Sequence, residues 1–292
     1  MRAPAFSTLS LGLLLTSPSF AQVLYGTGGP ELFTINPANA AETTVETTVV
    51  GGATVFLTAL AFNPADGQMY CSIGNDSQFS KRIGTINLAT AEVTVKPTVN
   101  PWPIPDMKFG PNGQLYGIRK QGSTLALVSI NITTGAATQI GSGITLNSAG
   151  NAFAISPAGV AYVLTGDKKL RTIDLTTGVF SAGITLTNTV FNPNTLFPAA
   201  AFSPNGTLFA TEGGDDCCGP GRLDTINTST GAVTTVGVES TTLDGLSFNF
   251  GVSPAAGPSP GPAGAPISPF AIALIAVGLL VLAARRLQFR AQ

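Results

Sequence analysis

The sequence predicts an all-β fold, a five-bladed β-propeller closed by pairing of its N- and C-terminal strands, with a C-terminal hydrophobic helix after it. Three observations lead there. The chain is rich in glycine and proline, with 34 and 21 residues, while charged residues make up only 10%. One phrase of sequence recurs five times at near-constant spacing. The repeat array opens on part of a unit and closes on the missing part.

Glycine, threonine, alanine and proline stand where a helical protein would carry Glu, Lys and Leu, which favours short strands joined by tight turns. The formal net charge is −1, and no basic run is long enough to track a phosphate backbone, so no nucleic-acid partner is expected. The 292 residues contain no histidine. That removes Ser-His-Asp and Cys-His catalysis and every imidazole-based zinc site.

Each repeat reads apolar-x-Phe-x-Pro, then a Gly turn, then an aromatic strand. It runs Leu60-Ala61-Phe62-Asn63-Pro64 with Asp66-Gly67 and Tyr70, then Met107-Lys108-Phe109-Gly110-Pro111 with Asn112-Gly113 and Tyr116. Phe153-Ala154-Ile155-Ser156-Pro157 with Gly159 and Tyr162 follows, then Ala200-Ala201-Phe202-Ser203-Pro204 with Asn205-Gly206 and Phe209, and the truncated Leu246-Ser247-Phe248-Asn249. The marker positions 62, 109, 155, 202 and 248 lie about 46 residues apart, a propeller-blade period. Asp-Gly and Asn-Gly between alternating strands mark the first hairpin of each unit. A second hairpin follows at Ile35-Asn36, Ile86-Asn87, Ile130-Asn131, Ile173-Asp174 and Ile226-Asn227, most with a Thr-Gly turn behind it. Four strands per unit make a blade.

Val23-Leu24-Tyr25-Gly26 is a second strand lacking its first, and Leu246 to Phe250 is a first strand lacking the rest. Together they complete one blade, which sets the number at five and hides both edge strands. An open β-solenoid, or a six-bladed ring with one degenerate blade, is the architectural alternative. The wording Ala-Leu-Ala-Phe-Asn-Pro-x-Asp-Gly-x-x-Tyr at 59–70 resembles a family of uncharacterised extracellular bacterial propellers. That resemblance covers roughly residues 23 to 250 and implies the fold, with no activity attached.

Both ends read as addresses. Residues 1–21 form a signal peptide: Arg2, an apolar stretch around Phe6 to Leu15, and Ser19-Phe20-Ala21 as the cleavage step. The propeller occupies 22–250, and 251–265 is a Pro/Gly-rich spacer. Within 266–292, the apolar run from Pro269 to Ala284 ends on Arg285, Arg286 and Arg290. At about 1.5 Å per residue it spans a thin bilayer, with the arginines cytoplasmic. One reading is a plain C-terminal membrane anchor. The other is a resemblance: Pro266-Ile267-Ser268-Pro269-Phe270, an apolar helix and Arg285-Arg286 look like exosortase-type (IPTL/PEP-CTERM-like) sorting signals, with Pro266-Ile267 in inverted order. The resemblance implies an exosortase-type processing enzyme as partner, passage through the inner membrane, and display at a Gram-negative cell surface or outside the cell.

Candidate site residues cluster on one side of the expected ring. Immediately before the inner strands stand Thr58, Asp106, Asn151, Pro198 and Asp244. Asp106, Asn151 and Asp244 with loop carbonyls could hold Ca²⁺, a water or sugar hydroxyls, or could plug the channel through a water network. Trp102 offers an indole for stacking on a sugar. Loops between second and third strands are expected to carry Asp76, Lys81 and Arg82, Arg119 and Lys120, Asp167 to Lys169, and Glu212, Asp215, Asp216 and Arg222, a charged rim that is either a binding surface or simply solvated loop. Cys71, Cys217 and Cys218 are an odd set: the last two can close a strained vicinal ring, or one of them can join Cys71.

The function expected is a non-enzymatic binding or structural protein of the cell surface or extracellular matrix, with exopolysaccharide or a surface protein as partner and no cofactor. The alternative is a metal-dependent hydrolase or lactonase-like propeller with Asp106, Asn151 and Asp244 at the channel mouth.

Overall fold

The computed structural model describes residues 22–250 except 75–76, 79, 147–150, 191–195 and 214–219. The expected signal peptide, spacer and C-terminal helix, with Pro266 to Pro269 and Arg285-Arg286, lie outside the described residues, as do Asp76, Asp215, Asp216, Cys217 and Cys218.

The described chain is entirely β. Its strands are β1 Val23–Gly28, β2 Glu31–Ile35 and β3 Glu42–Thr47; a small hairpin of β4 Val49–Val50 and β5 Ala53–Thr54; then β6 Leu57–Asn63, β7 Gln68–Ile73, β8 Ile83–Ile86 and β9 Val93–Val95. They continue as β10 Asp106–Phe109, β11 Leu115–Gln121, β12 Thr124–Ile130 and β13 Ala137–Thr145; β14 Asn151–Ile155, β15 Ala161–Thr165, β16 Lys169–Ile173 and β17 Ile184–Thr185; β18 Ala200–Phe202, β19 Leu208–Glu212, β20 Arg222–Ile226 and β21 Val233–Val238; and β22 Gly245–Asn249. Five four-stranded antiparallel sheets result, four of them in chain order and the first ordered β22-β1-β2-β3. We number this split sheet blade 1. Its seam pairs Val23 with Asn249, Tyr25 with Ser247 and Thr27 with Gly245, the closure expected from the two partial repeats. Inner strands β6, β10, β14, β18 and β22 pack on one another in that order around the ring.

Each hydrophobic core lies between two blades, and the repeat phrase explains how. On β6, Leu60 and Phe62 pack towards blade 1 with Leu32 and Met69, whereas Ala59 and Ala61 pack towards blade 3 with Met107 and Val128. Alternation puts successive side chains on opposite faces. Both faces are buried, so the strand reads as a continuous apolar run. The marker Phe is mortar between blades. Phe109 meets Tyr70 of the preceding blade at 5.2 Å, Phe202 meets Tyr162 at 5.5 Å, and Phe248 meets Phe209 at 5.6 Å between ring centroids. Edge-to-face and tilted rings of this kind contribute about 0.5–1.5 kcal/mol each beyond the area they bury.

The outer turns are equally repetitive. Asn87, Asn131, Asp174 and Asn227 each accept two backbone N–H bonds through Oδ1, from residues two and three positions on. Asn36 makes the same turn with one such bond, from Ala38. This is why Asn or Asp, which bond their own backbone, follow the Ile in every repeat. Gly178, at φ 70°, closes one of these turns. A Cβ there would stand 2.2 Å from the Ile140 carbonyl oxygen of the neighbouring blade. The turn tolerates only glycine.

The charged rim needs one correction. Arg119, Lys120, Lys169, Glu212 and Arg222 belong to strands, not loops. The β11–β12 ladder runs out to Gln121 opposite Thr124, so Arg119 and Lys120 point from a sheet and Arg119 is buried.

Candidate functional site at the channel mouth

An inner strand has a partner on one side only, so its other edge turns backbone N–H and C=O groups towards the channel. Such groups cannot be left bare when buried. Three side chains take them up. Asp106 is fully buried and accepts N–H bonds through Oδ2 from Phe153 of β14 at 2.8 Å and Ala200 of β18 at 3.3 Å. Its Oδ1 accepts from its neighbour Met107 at 2.8 Å and from Lys108 Nζ at 2.5 Å. Lys108 also donates to the Leu60 carbonyl of β6 at 3.1 Å, and Ser247 Oγ of β22 accepts from Phe62 N at 3.1 Å. All five inner strands are tied by this cross-link, which plugs the channel with one ion pair. Burial pushes the Asp106 carboxyl up to about 6, against the pull of Lys108 and the backbone donors. The same burial lowers the Lys108 ammonium.

Above the plug, where the inner strands begin, opens a cavity of about 250 Å³. Its wall takes a residue from every blade: Thr58, Pro105, Asn151, Pro198 and Asp244, with Gly74, Pro103 and Lys120 beside them. Each of the five stands at or just before the start of an inner strand, so ring closure brings together positions about 46 residues apart in sequence. The set offers an amide, a carboxyl, an amine and a hydroxyl, all partly exposed.

Of the residues singled out from sequence, the structure therefore unites Asn151, Asp244 and Lys120. It withdraws Asp106 from them: its two oxygens already serve four donors in the plug. The expected trio of Asp106, Asn151 and Asp244 does not form one open ligand set. No group of three or more acidic, cysteine or histidine side chains among the described residues is arranged to hold a metal ion.

Trp102 is half-buried, and the Arg119 guanidinium stacks over its ring at 5.0 Å. Arg119 is held there by Nε donating to Gln139 Oε1 at 2.8 Å. One face of the indole is thus covered, and Arg119 is spent on covering it. Cys71 is a free, fully buried thiol in β7, packed in the core between blades 1 and 2, and burial pushes it up to about 12.

Sequence reasoning missed Lys108 and Ser247. Their signal was present: a lysine between Met107 and Phe109, and a serine between Leu246 and Phe248, both within strands apolar on either face. It also missed a group of buried acids in and beside blade 5. Asp224 of β20 is pushed up to about 8 by burial and the neighbouring Glu212 carboxyl. Glu239 is raised well above the carboxylate range, first by burial and then by Glu42.

A family model described as "Repeat of unknown function (DUF6923)" matches residues 22–160, from β1 through the first turn of blade 4. No curated protein matches the chain in sequence. Among solved structures the chain is similar to a protein of unknown function from Bacteroides thetaiotaomicron, with TM-score 0.45, 15% identity, and coverage of 64% of this chain and 53% of that one. It is similar to TolB from Acinetobacter baumannii, with TM-score 0.43, 14% identity, and coverage of 73% and 52%. A gluconolactonase from Xanthomonas campestris gives TM-score 0.43, 10% identity, and coverage of 76% and 77%. The chain spans about half the length of the first two. At such identities the likeness reaches neither activity nor ligand.

Proposed function

We propose that this chain is a non-enzymatic binding protein of the cell surface or extracellular matrix, and that the channel mouth is where it takes its ligand. The observation that carries the reading is the convergence of Thr58, Lys120, Asn151 and Asp244 on one cavity, above a floor closed by the Asp106–Lys108 pair. A closed floor makes the ring a shallow receptor with no through-route. Mixed donors and acceptors around a small basin suit the hydroxyls of a sugar, such as a unit of an exopolysaccharide. Export and surface display rest on residues 1–21 and 266–292 and on their resemblance to exported, exosortase-sorted chains. The metal-dependent hydrolase reading draws on Asp106 as a third ligand beside Asn151 and Asp244, and the Asp106 oxygens are taken by the plug.

Purified protein on a glycan array tests the reading. Binding that an Asn151→Ala/Asp244→Ala variant weakens about tenfold or more, with unchanged melting, is the expected result. A blank array, or binding indifferent to that variant, overturns the mouth as the site. Metal analysis with melting before and after a chelator tests the hydrolase reading separately. Mass spectrometry of the mature C-terminus tests the tail, since an intact Arg285-Arg286 end rules out processing.

A further inference from the structure

The opposite end of the channel carries a second cavity, built by the phrase that defines the repeat. Where the inner strands end, Phe62, Phe109, Ile155, Phe202 and Phe250 bring one apolar side chain from each blade to the wall of a cup of about 310 Å³. The lip is formed by Pro64, Pro111, Pro157 and Pro204. Proline has no N–H, so this lip has little to offer a sugar. It is the chemical reverse of the other mouth. The volume lies at the lower end of the roughly 300–1,000 Å³ typical of small-molecule sites.

Below the cup a narrower space of about 60 Å³ shares those five side chains and reaches Lys108 and Ser247. Lys108 is 7% exposed. Its ammonium carries three N–H donors, and Asp106 Oδ1 and the Leu60 carbonyl take two of them. The third is left to whatever fills the space. The Asp106–Lys108 pair is already balanced in charge. A carboxylate head would bring an uncompensated negative charge into a buried site, and an ammonium head would meet Lys108; both are costly. A neutral oxygen is not.

We propose that this cup binds a small neutral amphiphile, a medium-length alkyl alcohol or ester, with its chain against the aromatic collar and its oxygen accepting a hydrogen bond from Lys108. The walls are set in advance: Phe62 and Phe250 meet edge-on at 6.2 Å, and Phe248 stacks behind Phe250 at 6.4 Å. This site is independent of the sugar-binding reading, and either can fail alone.

Calorimetric titration of the full chain with 1-octanol, octanoate and octylammonium tests it. An Ile155→Trp variant, which fills the cup from β14, and a Pro204→Trp variant, which fills it from the lip, subtract any unsaturable uptake elsewhere on the chain. The expected result is saturable 1:1 octanol binding that either variant removes, with octanoate and octylammonium weaker by about tenfold or more. Melting reports whether each variant is folded, and one folded variant suffices. Octanol binding unchanged in a folded variant overturns the cup as the site. Equal binding of octylammonium overturns the role of Lys108. No saturable octanol uptake overturns the proposal outright. So does a dimer that Ile155→Trp dissociates, which would make a second copy the occupant.

Discussion

Replacing Lys108 with methionine isolates what the central ion pair does. The substitution keeps the length of the side chain and removes the cation from Asp106, which stays fully buried. Removing one partner of a buried pair costs about 3–5 kcal/mol when the other must remain charged. Asp106, however, is already pushed up to about 6, and without Lys108 it rises further. At pH 5 it takes a proton and the variant loses mainly the bond to the Leu60 carbonyl, at about 1–2 kcal/mol. At pH 8 the variant must hold the proton about two units above the parent's value of about 6, at about 1.4 kcal/mol per unit. The penalty for Lys108→Met should therefore be larger at pH 8 than at pH 5 by about 2–3 kcal/mol. Urea denaturation followed by the fluorescence of Trp102, the single tryptophan, measures it at both pH values. A penalty equal at the two would refute the assignment of the buried charge to Asp106. The Asp106→Leu/Lys108→Met double variant adds a second check. Replacing a buried pair by apolar residues is often neutral, but here Phe153 N loses its acceptor, so about 1–3 kcal/mol should still be missing. A double variant as stable as the parent would mean that the pair does not tie the strand edges.

Three further outcomes are expected. Gly178→Ala, with its Cβ 2.2 Å from the Ile140 carbonyl oxygen, should cost about 2–4 kcal/mol, whereas Gly113→Ala, with φ 74° but open space around it, should cost about 1; equal melting losses would contradict the tight contact between blades. Asp106, Asp224 and Glu239 are all raised acids, so between about pH 4 and pH 8 the folded chain holds protons that the unfolded chain releases, and stability falls as pH rises; Asp224→Asn should flatten that slope, and an unchanged slope would count against Asp224 as a source. Cys71, fully buried and pushed up to about 12, should resist a thiol reagent in the native protein and react on unfolding, as timed labelling will tell.

The ring was legible because its information is local and repeated. The phrase around Phe62, Phe109, Ile155, Phe202 and Phe248 fixes an inner strand, its turn and its aromatic neighbour within a dozen residues. The split blade then fixes closure. The mouth was legible for the same reason, since Thr58, Asn151 and Asp244 occupy one register position. Chemistry was harder to read. Whether Asp106 faces solvent or a buried plug depends not only on Lys108, two residues away, but on Phe153 and Ala200 in the next two blades, and no short window of sequence holds those two contacts. Glu239 and Glu42 interact across the blade 5–blade 1 junction from opposite ends of the chain. Arg119 looked like a rim charge because its cover, Trp102, and its tether, Gln139, lie on separate elements.

The seam between β22 and β1 sets the order of events in folding. Blades 2 to 5 are made of consecutive hairpins that can form as the chain emerges. Blade 1 waits for Gly245–Asn249, more than 200 residues after Val23. Closing a loop of that length costs only about 2–3 kcal/mol more than closing a hairpin. The delay, in contrast, is absolute: Val23–Gly28 has an unpaired edge until the last strand arrives. Contacts so distant in sequence make for slow folding and a long exposure of sticky edges. Until the ring shuts, that open edge is where a second chain can pair in place of the missing strand.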